Sequence, residues 1–98
     1  LVEAHNEEEI KSAIASGARI IGVNNRNLKD FTVDINNSIN LRKSVDEDII
    51  FVSESGIKNS KDIKRLVENN VNAVLIGETL MKCSDKTAMI KDLKSEVV

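Results

Sequence analysis

The sequence has a single cysteine, no long apolar run and no large excess of one charge, and each absence limits what the protein can be. Cys83 has no second thiol with which to form an internal disulfide, which fits a reducing compartment. A metal site built on this one thiol is not expected either. We therefore predict no metal, and we expect Cys83 to be a small buried side chain.

The apolar runs are all much shorter than the ~20 residues that a membrane-spanning helix needs. The first ten residues lack the basic flank and the apolar segment of a secretory signal. The formal net charge is −2, with both signs interspersed, so no basic face is available to follow a nucleic-acid backbone. We expect a cytoplasmic protein with neither a membrane nor a nucleic acid as its partner.

The sequence does contain a regular alternation of short apolar runs and helical patterns. Its 98 residues, 41% apolar and 31% charged, can hold one globular domain at most. The apolar runs are rich in Val, Ile and Leu, are too short for helices, and predict strands buried on both faces. These predicted strands are residues 1–4, 20–23, 49–52 and 73–76.

Between the runs, apolar residues recur at the three-to-four spacing of a helix. The three stripes are Ile10, Ala13 and Ile14; Ile39, Leu41 and Val45; and Ile63, Leu66 and Val67. Asn6 is a predicted N-cap, Gly17 ends the first helix, and Ser60 can begin another. A last helix is predicted at residues 86–93, after a short connection at 78–81.

Strands that alternate with helices indicate a parallel sheet with right-handed crossovers. The fold class is therefore α/β, either an open doubly wound sheet or a (β/α)₈ barrel, and periodicity alone does not choose between them. Both architectures bind ligands at the carboxyl ends of the strands. The residues that follow each apolar run should accordingly be considered together.

Polar or small residues follow all four runs. They are Glu3 with His5, Asn24 with Arg26, Glu54 with Ser55 and Gly56, and Gly77 with Glu78. Two carboxylates, an amide and a guanidinium at one mouth could transfer protons and bind an anionic substrate. The backbone at Gly56 and Gly77, beside a helix N-terminus, could bind phosphate.

The alternative is that these are solvated loop residues, because polar residues normally begin where a strand ends. We expect His5 to be a packed or hydrogen-bonded histidine rather than a metal ligand. Phe51 and Met81 are expected to lie in the core.

The motifs VEAHNEEE, IIGVNNRNLKDFTVD, IIFVSESGIK and AVLIGETLM, in this order and spacing, resemble the C-terminal part of indole-3-glycerol-phosphate synthase. The resemblance covers essentially the whole chain. Its most specific piece is N-N-R-[DN]-L followed by F-x-V-D, at residues 24–34. The resemblance implies the C-terminal half of a (β/α)₈ TIM barrel, in which the four strands are the fifth to the eighth.

The resemblance also implies a reaction and a set of residue roles. The family converts 1-(2-carboxyphenylamino)-1-deoxyribulose 5-phosphate to indole-3-glycerol phosphate, with loss of CO₂ and water, in tryptophan biosynthesis and without a cofactor. The implied catalytic residues are Glu3, which moves a proton, and Asn24 and Glu54, which orient and stabilise intermediates. By the same resemblance, Arg26 binds the substrate carboxylate, Ser55 shapes the site, and Gly56, Gly77 and the backbone of Glu78 bind the phosphate.

The family's general-acid lysine on the third strand, and a lysine near the first strand that contacts phosphate, have no matching position here. A complete barrel takes ~250 residues, and this sequence begins within a strand without an initiator methionine. We therefore expect a single partial domain over residues 1–98, a fragment that is inactive without the missing N-terminal half-barrel. Its uncovered edges and sheet face predict self-association.

Two other interpretations stay open. One is a different phosphate-binding barrel enzyme, such as a relative of phosphoribosylanthranilate isomerase or of the tryptophan synthase alpha subunit. Substitution of Arg26 would separate these from the synthase, since only the synthase should lose carboxylate recognition. The other is a non-catalytic half-barrel assembly module, which predicts self-association without affinity for indole-3-glycerol phosphate.

Overall fold

A computed structural model describes residues 1–27 and 29–95, which form one parallel sheet and five helices. The strands are β1 (Val2–Ala4), β2 (Ile20–Asn24), β3 (Ile50–Glu54) and β4 (Ala73–Leu75). They lie in the sheet in chain order, and every neighbouring pair is parallel. The predicted α/β class and all four strands are confirmed, with bounds that differ by at most two residues at either end.

The helices are α1 (Glu7–Ala15), α2 (Asn36–Arg42), α3 (Ser60–Glu68), α4 (Glu78–Lys82) and α5 (Lys86–Lys94). The prediction of a plain connection at residues 78–81 is wrong, because α4 begins there. A helix of five residues contains little more than one turn, which is too short to produce a repeating apolar stripe. No helix among the described residues is long and apolar enough to cross a membrane.

Local capping chemistry sets the helix boundaries. The Asn6 side-chain oxygen accepts the backbone N–H of Glu9 at 2.8 Å, which confirms the predicted cap of α1. Gly17 follows the end of that helix with φ +95°, a conformation that glycine adopts without steric cost. Helix α3 begins at Ser60 as predicted, but its cap is Asn59, which accepts the Asp62 N–H at 3.0 Å.

The core lies between one face of the sheet and the helices. Ala4, Ile21, Val23 and Phe51 are fully buried on that face, so the prediction for Phe51 is confirmed. The helical members of the core come from four helices and are Ile10, Ala13, Ile39, Ile63, Leu66 and Leu93. Cys83 is only half-buried, with its thiol donating to the Leu80 carbonyl at 3.2 Å.

The opposite face of the sheet is not covered. Leu1, Ile20, Ile50 and Leu75 point to that side and are 70%, 39%, 45% and 57% exposed. The prediction that the strands are buried on both faces is therefore wrong, since this chain packs its helices against one face only. Met81 is also exposed, at 80%, because it lies on the outer side of short helix α4 rather than in the core.

Candidate active site

The carboxyl ends of the strands bring the two predicted glutamates to the uncovered face of the sheet. Asn24 pairs in register with Glu54, while Glu3 pairs with Gly22, two residues earlier on the same strand as Asn24. Residues in register on parallel strands point to the same face, and so do residues i and i+2 on one strand. Glu3, Gly22, Asn24 and Glu54 therefore share one face.

The Glu54 carboxylate lies over the backbone of Gly22. A Cβ atom added to Gly22 would overlap Glu54 Oε2. Glu54 is only 5% exposed, and its Oε2 is buried with no hydrogen-bond partner among the described residues. Sequence reasoning missed Gly22, although a glycine inside a strand is a recognised sign of close approach by another group.

The surroundings of Glu54 raise the pKa of its carboxyl group above the ordinary value of 4.5. Burial is the largest cause, and the charge of Glu3 and hydrogen bonding to Glu3 act in the same direction, whereas His5 opposes them. A buried carboxyl beside a second carboxyl keeps its proton to a higher pH than a free carboxyl, and such an arrangement can hold or transfer a proton.

A folded loop brings Arg26 to the same end of the sheet. The Asn24 side-chain oxygen accepts the Arg26 N–H at 2.9 Å. Arg26 then forms an antiparallel bridge with Val33, and within that bridge Asn27 donates its N–H to the Thr32 carbonyl at 2.7 Å. The Asn24 oxygen thus helps to shape the loop, and its side chain faces a shallow hollow shared with His5 and Arg26.

Strand β3 ends in a turn that uses an uncommon backbone conformation. Ser55 and Gly56 have φ values of +71° and +81°, and such values are rare for a residue with a side chain. A Cβ atom on Gly56 would lie 2.5 Å from Val33 Cγ1, so the turn packs against the Arg26 loop. The Thr79 hydroxyl donates to the Ile57 carbonyl at 2.7 Å and links α4 to this turn.

These elements enclose a cleft of about 920 Å³. Five of the predicted site residues line it: Arg26, Glu54, Ser55, Gly56 and Gly77. Asn24 and Glu3 lie beside this lining rather than in it, although Glu3 is near enough to affect the pKa of Glu54. Gly77 precedes α4, which begins at Glu78, and the Glu78 side chain lies outside the described part of the structure.

Two lysines that sequence reasoning missed also line the cleft. Lys58 comes two residues after Gly56, and Lys82 is the last residue of α4. Together with Arg26 they give the lining of the cleft three cationic side chains, which favours an anionic ligand. Lys58 could have been predicted as a site residue, because it lies shortly after the strand-end turn at Ser55 and Gly56.

The histidine makes a local contact with a glutamate of α1. His5 Nδ1 lies 3.2 Å from Glu9 Oε1, which confirms the expected hydrogen-bonded histidine. Within residues 1–27 and 29–95, no group of three or more His, Cys, Asp or Glu side chains is placed to hold a metal ion.

Known proteins match this chain in both sequence and fold. The family model described as indole-3-glycerol phosphate synthase matches residues 1–93. Two relatives with that name are 56% identical over 98% of this chain (Leuconostoc mesenteroides) and 59% identical over 97% of it (Lachnoclostridium phytofermentans). The chain spans 37% and 35% of their lengths, so it corresponds to little more than a third of each.

A solved structure shares the fold. Thiamine phosphate pyrophosphorylase from Pyrococcus furiosus superposes with a TM-score of 0.74 over 95% of this chain and 45% of that protein, at 20% sequence identity. At that identity the likeness concerns architecture alone. That protein is a barrel enzyme, and the match to less than half of it confirms the predicted half of a (β/α)₈ barrel.

Proposed function

Because this chain belongs to the indole-3-glycerol phosphate synthase family, we propose that it is the C-terminal part of a lyase that makes indole-3-glycerol phosphate. The substrate would be 1-(2-carboxyphenylamino)-1-deoxyribulose 5-phosphate, which loses CO₂ and water. The observation that carries this proposal is the buried Glu54 carboxyl, placed beside Glu3 and in the same cleft as Arg26 and the Ser55–Gly56 turn.

The two glutamates would divide the proton chemistry. Glu3 is exposed on the open face and can take up or release a proton during ring closure or dehydration. Glu54 has a raised pKa, so it is more readily protonated than a free carboxyl and can donate a hydrogen bond to a developing oxyanion. Asn24 would help Glu54 to orient the intermediates, because these two residues are register partners.

Arg26 would hold the carboxylate of the substrate until it leaves as CO₂. A guanidinium group binds a carboxylate through two parallel hydrogen bonds, which fixes its direction as well as its position. The Arg26–Val33 bridge supports this role because it fixes the backbone from which the guanidinium extends.

The phosphate would bind at the Ser55–Gly56 turn and at Gly77, with the backbone of Glu78 completing the cradle. Backbone N–H groups at a turn or at the start of a helix suit a phosphate group. Ser55 would shape this end of the site, and Lys58 and Lys82 would add positive charge around it. The reaction would need neither a cofactor nor a metal ion.

The active enzyme would require an N-terminal part that this chain lacks. Residues 1–98 would be a partial domain, and the general-acid lysine of the family would come from that missing half-barrel. We therefore propose that the 98 residues alone do not turn over substrate. A cytoplasmic location is consistent with the single half-buried cysteine.

The test is a fluorescence assay for indole-3-glycerol phosphate. The purified chain is assayed alone and together with a separately expressed N-terminal part of the Leuconostoc mesenteroides enzyme, and the complete enzyme from that organism serves as the positive control. We expect product only from the combined halves or from a chimera that joins them. Product from the chain alone would contradict the need for a second half, and an inactive chimera that is folded would overturn the proposed reaction.

A further inference from the structure

A buried polar cluster lies directly behind the cleft, on the helix side of the sheet. It consists of Asn25, Ser38 and Ser53, which are 4%, 0% and 0% exposed. Asn25 directly follows β2, Ser38 lies in α2 and Ser53 lies in β3. Polar side chains buried this completely are retained only where each donor and acceptor finds a partner.

The hydrogen bonds of this cluster form a closed ring. Asn25 Nδ2 donates to Ser53 Oγ at 2.9 Å, and the two serine hydroxyls lie 2.8 Å apart. The Ser38 hydroxyl donates to Asn25 Oδ1 at 2.6 Å. If Ser53 donates to Ser38, each hydroxyl proton is used once, and the direction of every bond in the ring is determined.

Two further bonds connect the ring to backbone groups on opposite sides. The Ser38 N–H donates to Asn25 Oδ1 at 3.0 Å, while Asn25 Nδ2 donates to the Ser55 carbonyl at 3.0 Å. The Ser38 N–H can only donate a hydrogen bond, and the Ser55 carbonyl can only accept one. The side chain at position 25 must therefore present an acceptor towards α2 and a donor towards the turn, and asparagine has both at this length.

The backbone of Asn25 connects the same elements. Its N–H donates to the Glu54 carbonyl at 2.8 Å, and its carbonyl accepts the Asp34 N–H at 3.3 Å. Asn25 stands at the start of the loop that contains Arg26 and is thus hydrogen-bonded to Glu54 and Ser55 on one strand end and to Asp34 at the far end of that loop. Its hydrogen bonds therefore link the left-handed turn to the Arg26 loop.

We propose that Asn25 is a positioning residue, whose carboxamide holds the Ser55–Gly56 turn and the Arg26 loop in the geometry that binds an anionic substrate. This proposal rests on the proposed function. Asn25 does not line the cleft itself, and it acts through the Ser55 carbonyl and the Arg26 loop. Loss of its Nδ2 donors removes the bonds to the Ser55 carbonyl and to Ser53 Oγ. The apolar contacts of β2 and β3 remain, so the turn should shift before the sheet unfolds.

The test is Asn25→Asp in the chimera of this chain with the N-terminal part of the Leuconostoc mesenteroides enzyme. The substitution keeps the shape and the Ser38 bonds but places a carboxylate oxygen against the Ser55 carbonyl and beside Ser53 Oγ. The Ser53 hydroxyl can turn to donate to that oxygen, whereas the Ser55 carbonyl can only accept. We expect KM for the phosphorylated substrate to rise about tenfold or more, with a smaller change in kcat. The inhibition constant of inorganic phosphate should rise in parallel. Asn40→Asp, which makes the same charge change on the exposed side of α2, is the control.

The split between KM and kcat separates positioning from mere stability. If Asn25→Asp only makes the protein unfold more easily, a smaller fraction of the molecules is active, so the apparent kcat falls while KM stays constant. That result would overturn the proposal. If Asn25→Asp does not fold, Asn25→Ala removes the whole carboxamide, including the Ser55 bond, without burying a charge. In that case a rise in KM of about tenfold with a smaller change in kcat supports the proposal, while a KM unchanged from the parent chimera contradicts it. An inactive parent chimera would instead count against the proposed function.

Discussion

Glu54 places a carboxylate where the fold gives it little stabilisation. Its Oε2 is buried over Gly22 and finds no partner among the described residues, and Glu3 adds a second negative charge nearby. Burying a charge without a partner destabilises a folded protein. A residue that opposes stability in this way, at the mouth of a cleft, is better explained by chemistry than by packing.

Because the buried Glu54 carboxylate destabilises the folded chain, the stability of the chain should depend on pH. The pKa of Glu54 is higher in the folded chain than in the unfolded chain, so the folded state binds the proton more tightly. Proton binding to Glu54 therefore stabilises the folded state. This stabilisation is complete at pH values below the ordinary carboxyl pKa of 4.5, and it is lost as the pH rises through the pKa of Glu54 in the folded chain. Glu54→Gln, which resembles the protonated form, should therefore be more stable than the parent at pH 7.

Urea denaturation of parent and Glu54→Gln at several pH values checks this prediction. The difference in the free energy of unfolding should be near zero around pH 4 and should grow towards neutral pH. Glu47→Gln, at an exposed position in the loop before β3, is the control and should show no such growth. A Glu54→Gln variant that is less stable than the parent at pH 7 would mean that the charged carboxylate has a stabilising partner.

Arg42 has the opposite role at the other end of the sheet. It is only 5% exposed, yet its guanidinium donates to four carbonyl oxygens, those of Asp46, Glu47, Ile49 and Asn70, at 2.9–3.3 Å. The guanidinium carbon also lies 5.6 Å from the centre of the Phe51 ring. These contacts link the end of α2 to the chain that enters β3 and β4, and residues at this end of a barrel generally serve stability.

Arg42→Lys should destabilise the chain although it keeps the charge. An ammonium group has three donors on one atom and cannot reach carbonyls spread around a planar fork. We expect the free energy of unfolding to fall by roughly 2 kcal/mol, since buried carbonyls lose their partners. Urea denaturation measures this, with Arg19→Lys as control. Arg19 and its partner Asp48 are 75% and 73% exposed, so that change should cost less than ~0.5 kcal/mol. Equal effects in the two variants would contradict the role given to Arg42.

At the scale of structural elements, the turn after β3 and the start of α4 each place a glycine at the cleft. The two glycines differ in whether the fold requires them. Gly56 has φ +81° and is packed against Val33. Residues with a side chain rarely adopt this backbone conformation, and there is no space for a Cβ atom beside Val33. Gly77 has φ −118°, and no atom lies within 4 Å of the position its Cβ would occupy. Only the first glycine is required by the fold.

Gly56→Ala should lower the free energy of unfolding by roughly 1–3 kcal/mol, because strain at positive φ and overlap with Val33 add. Gly77→Ala should change it by less than ~1 kcal/mol in either direction, since its backbone conformation and surroundings accept a methyl group. Thermal or urea unfolding of the two variants tests the pair. A Gly77→Ala variant as unstable as Gly56→Ala would show that α4 packs more tightly than this structure has it.

The elements that the sequence predicted are those with a repeating or local signal. The four runs rich in Val, Ile and Leu form strands. Asn6 and Gly17 mark the two ends of α1, because capping and left-handed turns depend on residues close in the chain. Helix α4 and the exposure of Met81 were missed, since one turn produces no period and its packing is set by distant elements.

The candidate site was predicted in part for the same reason. The positions of Arg26, Glu54 and Gly56 follow from the rule that ligands bind at strand ends. The roles of Gly22 and Asn25 depend on pairs far apart in sequence, Gly22 under Glu54 and Asn25 against Ser38 and Ser55, which no local pattern contains.

For the molecule as a whole, the main physical feature is an uncovered sheet face. Leu1, Ile20, Ile50 and Leu75 are exposed there, and β1 and β4 are edge strands of the sheet. An exposed apolar face of this kind favours association, because burying one such side chain contributes roughly 1.5–3 kcal/mol. The same face would be the interior of the barrel if the rest of a protein of the relatives' length were present.

In the chain alone, this face should drive self-association, and Ile50→Glu should weaken it. Ile50 lies on an inner strand of the open face, whereas Val67 is similarly exposed, at 51%, on α3. Val67→Glu therefore makes the same chemical change on the helix side of the molecule. We expect sedimentation velocity to give a dissociation constant at least about tenfold larger for Ile50→Glu than for the parent or for Val67→Glu. Ile50→Glu should also reduce activity recovered with the N-terminal part. If Ile50→Glu associates like the parent while Val67→Glu becomes monomeric, the self-association surface is the helix side and not the open face of the sheet.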